Sequence, residues 1–145
     1  MDAQTGTCRC GAVTLTVTQP PFMTAACHCT GCRKMSSSAF SLTAMVPQDA
    51  LEVEGETVRG GIGAPPLDHR FCPECLTWLF TRIEGQDFIN IRPTMFDIPE
   101  WSRPYIETMT AEKLPWAQTP AAHAFPGFPG PDDFPGLIAG FAARG

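Results

Sequence analysis

The stretch Cys27-His28-Cys29-Thr30-Gly31-Cys32-Arg33-Lys34 places three thiols within six residues. Thiolates at this spacing can all close on one soft metal ion, and zinc binds thiolates in a tetrahedron. Structural zinc sites usually take all four ligands from the protein, but no fourth cysteine lies close by in this sequence. The stretch therefore predicts the arrangement of a catalytic zinc, held by Cys27, Cys29 and Cys32 with one position left for an outside ligand.

The remaining cysteines complete a second set. Cys8 and Cys10 form a C-x-C pair, and Cys72 and Cys75 form a C-x-x-C pair. Their four sulfurs are enough for one closed, structural zinc site that joins distant parts of the chain. The seven cysteines then divide into four and three, whereas disulfide pairing would leave one odd thiol. We therefore predict two zinc ions per chain.

Composition narrows the class of protein. A chain of 145 residues with 43% hydrophobic residues is expected to form one globular domain. The net charge of −5, without a block of like charges, argues against a nucleic-acid partner. No apolar run is long enough to span a membrane, and no secretory signal precedes the first motif, so we expect a cytoplasmic protein. The sequence does not indicate an oligomeric state.

Alternating apolar residues predict a mainly β fold. The pattern appears in residues 12–18, 51–53, 78–80 and 88–91, and helical periodicity is scarce. The strand that leads into the cysteine stretch is expected to run through Cys29, with Cys27 and Cys29 on one face and His28 on the other. Thr30-Gly31 would then form a turn that returns Cys32 to the metal. On this interpretation His28 is a structural residue or a neighbour of the ligands, and a poor fourth ligand.

The composition of the chain changes after Ile91. Prolines, glycines and aromatic residues alternate through the C-terminal part, including Phe-Pro-Gly-Phe-Pro-Gly-Pro. Such a segment forms little regular structure, but its aromatic residues predict that part of it packs on the domain or on a partner. Asp132-Asp133 are expected to cap a short helix through Phe141, with Pro135 in its first turn.

The ordered motifs Gly6-x-Cys8-x-Cys10-Gly11, C-H-C-x-x-C-R-K and Phe71-Cys72-x-x-Cys75 resemble the glutathione-dependent formaldehyde-activating family, which includes the domain of centromere protein V. The resemblance covers about residues 5–116 and implies a β-tent-type fold. We therefore expect a zinc-binding domain over residues 1–116, with residues 117–145, which lie outside the resemblance, as a Pro/Gly-rich extension that packs in part on the domain. The resemblance also implies that the C-x-C and C-x-x-C pairs hold a structural zinc and that the central motif holds the second zinc. Leu76 departs from the family, which usually has glycine after the C-x-x-C. So do residues 35–38, Met-Ser-Ser-Ser, where a glycine is usual.

Sulfur chemistry leads toward the same activity. Three thiolates outweigh the charge of one zinc dication, so a bound water would be only weakly acidified, which counts against a hydrolase. An incoming thiol suits a sulfur-rich site and becomes a thiolate, the nucleophile that adds to an aldehyde. The resemblance implies a carbon–sulfur lyase-type enzyme that joins glutathione to formaldehyde as S-(hydroxymethyl)glutathione.

Three alternatives stay open at this level. Arg33 and Lys34 either hold the carboxylates of a glutathione-like substrate or are solvated surface charges. His69 and Arg70 either donate to cysteine sulfur or support an ordinary strand end. The whole chain is either an enzyme, a thiol carrier without turnover or a non-catalytic zinc module.

Overall fold

The computed structural model of the chain describes residues 2–62, 64–97 and 99–144. Its strands are β1 (Gln4–Thr7), β2 (Thr14–Val17), β3 (Met23–Cys27), β4 (Ser41–Pro47), β5 (Leu51–Glu54), β6 (Val58–Gly60), β7 (Leu67–Phe71), β8 (Trp78–Ile83), β9 (Phe88–Ile91), β10 (Ile106–Thr108) and β11 (His123–Ala124). Its α-helices are α1 (Thr30–Ser36) and α2 (Phe134–Ala143). The prediction of a mainly β fold built from short strands is confirmed.

The chain divides into two compact units. The first comprises Met1–Pro21 and Met45–Pro99, and the second comprises Phe22–Ala44 and Glu100–Gly145. The boundary therefore falls within β4. The domain limits predicted from the sequence, 1–116 and 117–145, stay a prediction.

In the first unit, β2 lies between β1 and β5 and is antiparallel to both. Leu15 and Val17 of β2 are fully buried, and threonines alternate with them, as the period-2 pattern predicts. Gly6, in the first motif, lies against the backbone of Met95. A Cβ at Gly6 would come 2.7 Å from the Met95 carbonyl carbon, so the motif requires glycine here for space.

The first unit also contains the strand order β9-β8-β7-β6, with antiparallel pairing from β9 to β6. Leu79 and Phe80 of β8 are both buried, and because adjacent residues of a strand point to opposite faces, both faces of β8 are covered there. β7 ends at Phe71 and so delivers Cys72 directly after its last residue. This is the strand end predicted for His69 to Phe71.

In the second unit the strand order is β11-β10-β3-β4, and β10 is parallel to both β3 and β11. All five residues of β3 are buried. The register places Ile106 opposite Ala25 and Thr108 opposite Cys27. A strand from the C-terminal part of the chain therefore lies directly beside the strand that ends in the cysteine stretch.

The predicted C-terminal helix is confirmed as α2, with a proline in its first turn. Asp133 is the N-cap residue, as predicted, but its side chain makes no cap hydrogen bond to the helix. Its Oδ2 accepts a hydrogen bond from the Gly130 backbone N–H at 2.8 Å instead, which closes the preceding turn. Within the described ranges, no helix has both the length and the apolar character needed to cross a lipid bilayer.

Candidate metal centres

Four cysteines of the first unit converge in two matching turns. The sulfurs of Cys8, Cys10, Cys72 and Cys75 all lie within 4.8 Å of one another. Cys10 Sγ is 3.7 Å from both Cys8 Sγ and Cys72 Sγ. Zinc–sulfur bonds of about 2.3 Å in a tetrahedron give a sulfur–sulfur edge of about 3.8 Å. The group is therefore already spaced for a tetrahedral metal ion.

Backbone hydrogen bonds build the two turns in the same way. The N–H of Cys8 donates to Val13 O at 3.0 Å, and the N–H of Cys72 donates to Thr77 O at 3.0 Å. The Cys8 sulfur also accepts a hydrogen bond from the Val13 N–H at 3.3 Å, and the Cys72 sulfur accepts one from the Cys75 N–H at 3.5 Å. Amide donors of this kind stabilise a thiolate.

Each turn also contains a residue with positive φ. Gly11 has φ +83° in the first turn, and Leu76 has φ +59° in the second. The Leu76 N–H donates to Cys72 O at 2.9 Å, so the second turn closes although leucine stands where the family usually has glycine. Leu76 is 67% exposed, and its side chain projects away from the core.

The second unit brings the other three cysteines together. The sulfurs of Cys27, Cys29 and Cys32 lie within 4.8 Å of one another. No histidine, aspartate, glutamate or further cysteine among the described residues joins this group. Both predicted cysteine sets are thus arranged so that they could hold a metal ion, one with four ligands and one with three.

The predicted path of the chain between these cysteines is wrong. β3 ends at Cys27, and Cys29 has φ −63° and ψ 152° as the N-cap of α1. The Cys29 sulfur accepts the Cys32 N–H at 3.2 Å, as an N-cap side chain does. Thr30 and Gly31 form the first turn of the helix rather than a separate turn. The three sulfurs meet because a strand end, a helix cap and a first helical turn follow one another within six residues.

Thiols this close share protons. A hydrogen bond from Cys32 lowers the pKa of Cys27 to about 5, and the same contact together with burial raises the pKa of Cys32. In the four-cysteine group, the Thr77 hydroxyl lowers the pKa of Cys75 to about 5. The Ala12 N–H lowers the pKa of Cys10, but burial and the neighbouring sulfurs raise it to about 12. A bound divalent cation would remove the need for these sulfurs to share protons, because its positive charge stabilises every sulfur as a thiolate.

Two carboxylates from β10 and the turn after it contact the cysteine stretch. Glu107 Oε1 lies 2.8 Å from His28 Nε2, and Glu112 Oε1 accepts the Thr30 N–H at 3.0 Å. Neither acid was among the site residues predicted from the sequence. The available signal was Glu107 itself, an acidic residue directly after the apolar Ile106 in a short segment that looks extended. The partner could not be inferred because parallel pairing joins residues 79 positions apart.

The predicted substrate-binding residues differ in environment. Arg33 is half-buried, its Nη2 donates to Thr30 Oγ1 at 3.2 Å, and its buried Nε has no hydrogen-bond partner among the described residues. Lys34 is exposed on α1. Arg33 thus places a guanidinium, a group that binds anions, one residue after Cys32 in the chain, whereas Lys34 faces solvent.

His69 and Arg70 have other partners than cysteine sulfur. His69 Nδ1 lies 2.8 Å from Thr81 Oγ1, and its ring packs edge-on against Trp78. Arg70 donates to Thr57 through Nε at 3.0 Å and Nη2 at 2.8 Å. These contacts hold β7 to its surroundings and favour the strand-end interpretation.

A cavity of about 490 Å³ lies in the second unit. Its lining is largely polar and comprises Thr110, Lys113, Leu114, Pro115, Ala117, Gln118 and Thr119. The lining begins two residues after Thr108, the β10 residue opposite Cys27. A cavity of this size accommodates a small-molecule ligand. A cavity of about 360 Å³ in the first unit has no cysteine in its lining, and we assign it no role.

Comparisons of the sequence with known proteins all point to one family. The sequence profile described as "Glutathione-dependent formaldehyde-activating enzyme" matches residues 3–112. A protein of Emericella nidulans is 32% identical over 94 residues, which are 58% of this chain and 48% of that protein. A protein of Penicillium rubens is 31% identical over 87 residues, 54% of this chain and 44% of that protein. Both relatives carry the name "Putative glutathione-dependent formaldehyde-activating enzyme".

The chain spans about half the length of these curated relatives. Among solved structures, a protein of Rhodobacter sphaeroides superimposes with a TM-score of 0.55. That match covers 66% of this chain and 89% of the other at 21% sequence identity. It shows a shared fold.

Proposed function

The chain belongs to the glutathione-dependent formaldehyde-activating family, and on this premise we propose that it is a zinc-dependent carbon–sulfur lyase-type enzyme. Its reaction joins glutathione or a similar thiol to formaldehyde or another small aldehyde, as an S-(hydroxymethyl)glutathione synthase would. Two zinc ions bind each chain, one at Cys8, Cys10, Cys72 and Cys75, and one at Cys27, Cys29 and Cys32.

One observation carries the proposal. Three sulfurs converge in the second unit, and no fourth metal-binding side chain among the described residues joins them. A tetrahedral ion held by three protein ligands takes its fourth ligand from outside, which is the arrangement of catalytic zinc. The four-cysteine group, by contrast, satisfies the ion from the protein alone.

The chemistry is an addition without oxidation or reduction. The thiol sulfur forms a bond to the aldehyde carbon, the C=O π bond breaks, and the thiol proton ends on the new hydroxyl. Zinc, when bound, favours loss of the thiol proton at a sulfur-rich site. The protein's own residues bind and orient the thiol beside the three-cysteine group, which converts an encounter in solution into a positioned reaction.

Arg33 supports recognition of an anionic thiol. Its buried Nε lacks a partner among the described residues, and a guanidinium binds carboxylates well. Glutathione carries two carboxylates, and the cavity that begins near Thr110 provides space for the part of the molecule that does not react. Lys34 contributes through its charge from the exposed face of α1.

The proposal is tested by loading the protein with zinc, counting metal per chain, and following formaldehyde consumption while glutathione is titrated. A protein-free reaction measures the spontaneous addition. We expect two zinc ions per chain and a saturable acceleration. Cys29→Ser is expected to retain one zinc ion and to lose the acceleration. Two zinc ions with thiol binding but no acceleration would favour the thiol carrier, and absence of thiol binding would favour the non-catalytic module.

Substrate recognition is tested with Arg33→Gln and Lys34→Gln as a matched pair. Loss of a charge-assisted hydrogen bond of about 1.5–3 kcal/mol corresponds to about a 10- to 150-fold rise in the KM for glutathione, which we expect for Arg33→Gln. The exposed Lys34→Gln should change that KM less than about threefold. The control thiol is 2-mercaptoethanol, which has no carboxylate, so neither substitution should change its KM. Equal losses with both thiols would contradict carboxylate binding by Arg33.

A further inference from the structure

Glu107 is a buried acid with two cationic or donor partners. It lies in the middle of β10, only 7% exposed. Its Oε1 is 2.8 Å from His28 Nε2 and 3.2 Å from Lys113 Nζ. Burial raises the pKa of Glu107, but the hydrogen bonds from His28 and Lys113 outweigh it and bring the pKa below its usual value. A carboxylate is stable at this depth only because these donors satisfy it.

His28 connects this acid to the three-cysteine group. It stands between Cys27 and Cys29 in the chain and is fully buried. Its backbone N–H donates to Thr108 O at 3.0 Å, and its ring bonds to Glu107. Both attachments lead to β10, so the residue between two candidate ligands is held at its backbone and at its ring by the same strand.

A second contact limits the ring from another side. The Phe40 ring packs against the His28 ring, with centroids 5.4 Å apart and an angle of 63° between the planes. Glu107 is therefore the polar contact, and Phe40 the apolar contact, that together fix the orientation of the His28 ring. The backbone hydrogen bond to Thr108 and the two ring contacts thus hold His28 in place, and Cys27 and Cys29 are its neighbours in the chain.

We propose that Glu107, acting through His28, is a positioning residue that holds the sulfurs of Cys27, Cys29 and Cys32 in metal-binding geometry. This inference rests on the proposed function, since it takes the three-cysteine group to be a metal centre. Residues that orient metal ligands without touching the metal typically change metal affinity 10- to 100-fold when they are removed.

The test uses cobalt(II), which reports cysteine ligation through its absorption spectrum. The signal of the three-cysteine centre is the difference between each protein and the same protein carrying Cys29→Ser. Glu107→Leu removes the acceptor and should weaken cobalt binding at this centre 10- to 100-fold. Glu107→Gln keeps an acceptor oxygen and should restore the affinity to within about fivefold of the wild type. The four-cysteine signal should be unchanged in both, and Glu52→Leu, at an exposed site, is the control.

A double variant keeps the test decisive if Glu107→Leu does not fold. His28→Leu/Glu107→Leu removes both partners of the buried hydrogen bond and leaves only Lys113, whose side chain is 28% exposed and can be solvated, so it is less costly than removing Glu107 alone. We expect it to fold, as judged by the four-cysteine cobalt signal, and to show the same 10- to 100-fold loss at the three-cysteine centre. Wild-type affinity in Glu107→Leu or in the double variant would overturn the positioning role.

The outcome is separate from that of the proposed function. A wild-type protein that binds two cobalt ions but does not accelerate the thiol addition would overturn the enzyme proposal and leave the positioning role standing. A wild-type protein that binds cobalt only at the four-cysteine group would overturn both.

Discussion

At the level of single residues, Leu76 shows how the turn between Cys72 and Thr77 tolerates a side chain where the family usually has glycine. Its φ of +59° lies in the left-handed region, which costs an L-residue about 1–2 kcal/mol. The side chain is 67% exposed, so burial offsets little of this strain. The equivalent position of the other turn is Gly11, which adopts φ +83° without that cost.

Leu76→Gly should therefore stabilise the protein. Relief of about 1–2 kcal/mol of left-handed strain, less about 0.5–1 kcal/mol for the greater freedom of glycine in the unfolded chain, leaves a gain of about 0.5–1 kcal/mol. Urea unfolding in excess zinc measures it. Leu76→Ala is the control, because alanine shortens the side chain and keeps the Cβ that causes the strain. Equal midpoints for the glycine and alanine variants would contradict the explanation.

His69 predicts a pH dependence. Burial, with a further contribution from Arg92, lowers the pKa of His69 below its ordinary value. Between that lowered pKa and the unfolded pKa of about 6.5, the unfolded chain binds the proton more readily than the folded protein does. The contribution of His69 to stability is thus fully present above about pH 6.5 and is lost as the pH falls toward the folded-state pKa.

The measurement compares urea midpoints at pH 7.5 and pH 5.5 for the wild type and His69→Gln. We expect the wild type to lose more stability than the variant over this interval. Protonation of the cysteine groups affects both proteins alike, so the difference between them reports His69. A variant that loses as much stability as the wild type would show that His69 does not resist protonation.

At the level of elements, local patterns were predictable and non-local pairings were not. Alternating residues correctly indicated β2, β5, β8 and β9, because this pattern does not depend on which neighbour a strand pairs with. Burial alternates along β2, β5 and β9, whereas the first four residues of β8 are all buried. The cysteine sets could be predicted because metal-ligand spacing is itself a local pattern. Alternation failed at Cys29, where a sulfur that accepts the Cys32 N–H starts a helix of seven residues. Glu107 was missed because only the parallel pairing of β10 with β3 brings it to His28.

The aromatic residues of the C-terminal part predicted that some of it packs on the domain, but not which residues make the contacts. Phe141 of α2 is buried, and its ring packs edge-on against Tyr105 with centroids 5.8 Å apart. Arg144 lies 4.1 Å above the Phe141 ring and donates to Arg103 O at 2.9 Å. The last residues of the second unit are thus held by an aromatic contact, a cation–π contact and a hydrogen bond to the segment before β10.

Two phenylalanines of the Pro/Gly-rich region should respond very differently to truncation. Phe141→Ala removes a buried ring and should cost about 3 kcal/mol or more in the free energy of unfolding. Phe128 is 69% exposed, and Phe128→Ala should change that free energy by less than about 0.5 kcal/mol. Chemical denaturation of the two variants side by side measures the contrast. Similar small effects would mean that α2 does not contribute its packing to the stability of the second unit.

At the level of the whole molecule, the two cysteine groups differ in how much chain they join. The three-cysteine group is drawn from a single stretch, residues 27–32. The four-cysteine group joins the end of β1 to the end of β7, and Cys10 and Cys72 are 62 positions apart in the sequence. A metal ion that joins distant segments closes a long loop and contributes to folding. An ion held within six residues closes only a short loop and contributes little.

Loss of one ligand from each group should therefore have unequal consequences. Cys75→Ser weakens a site whose zinc affinity, about 10–16 kcal/mol in comparable sites, rivals the whole stability of a domain at about 5–15 kcal/mol. We expect this variant to lose the fold of the first unit even in excess zinc, as judged by circular dichroism. Cys29→Ser should keep the wild-type spectrum while binding one zinc ion fewer and no longer binding glutathione. A chelator added slowly to the wild type should likewise remove one zinc ion before the spectrum changes and the second only as the protein unfolds. Equal destabilisation by the two substitutions, or unfolding with the first zinc ion released, would contradict this division between a structural and a catalytic centre.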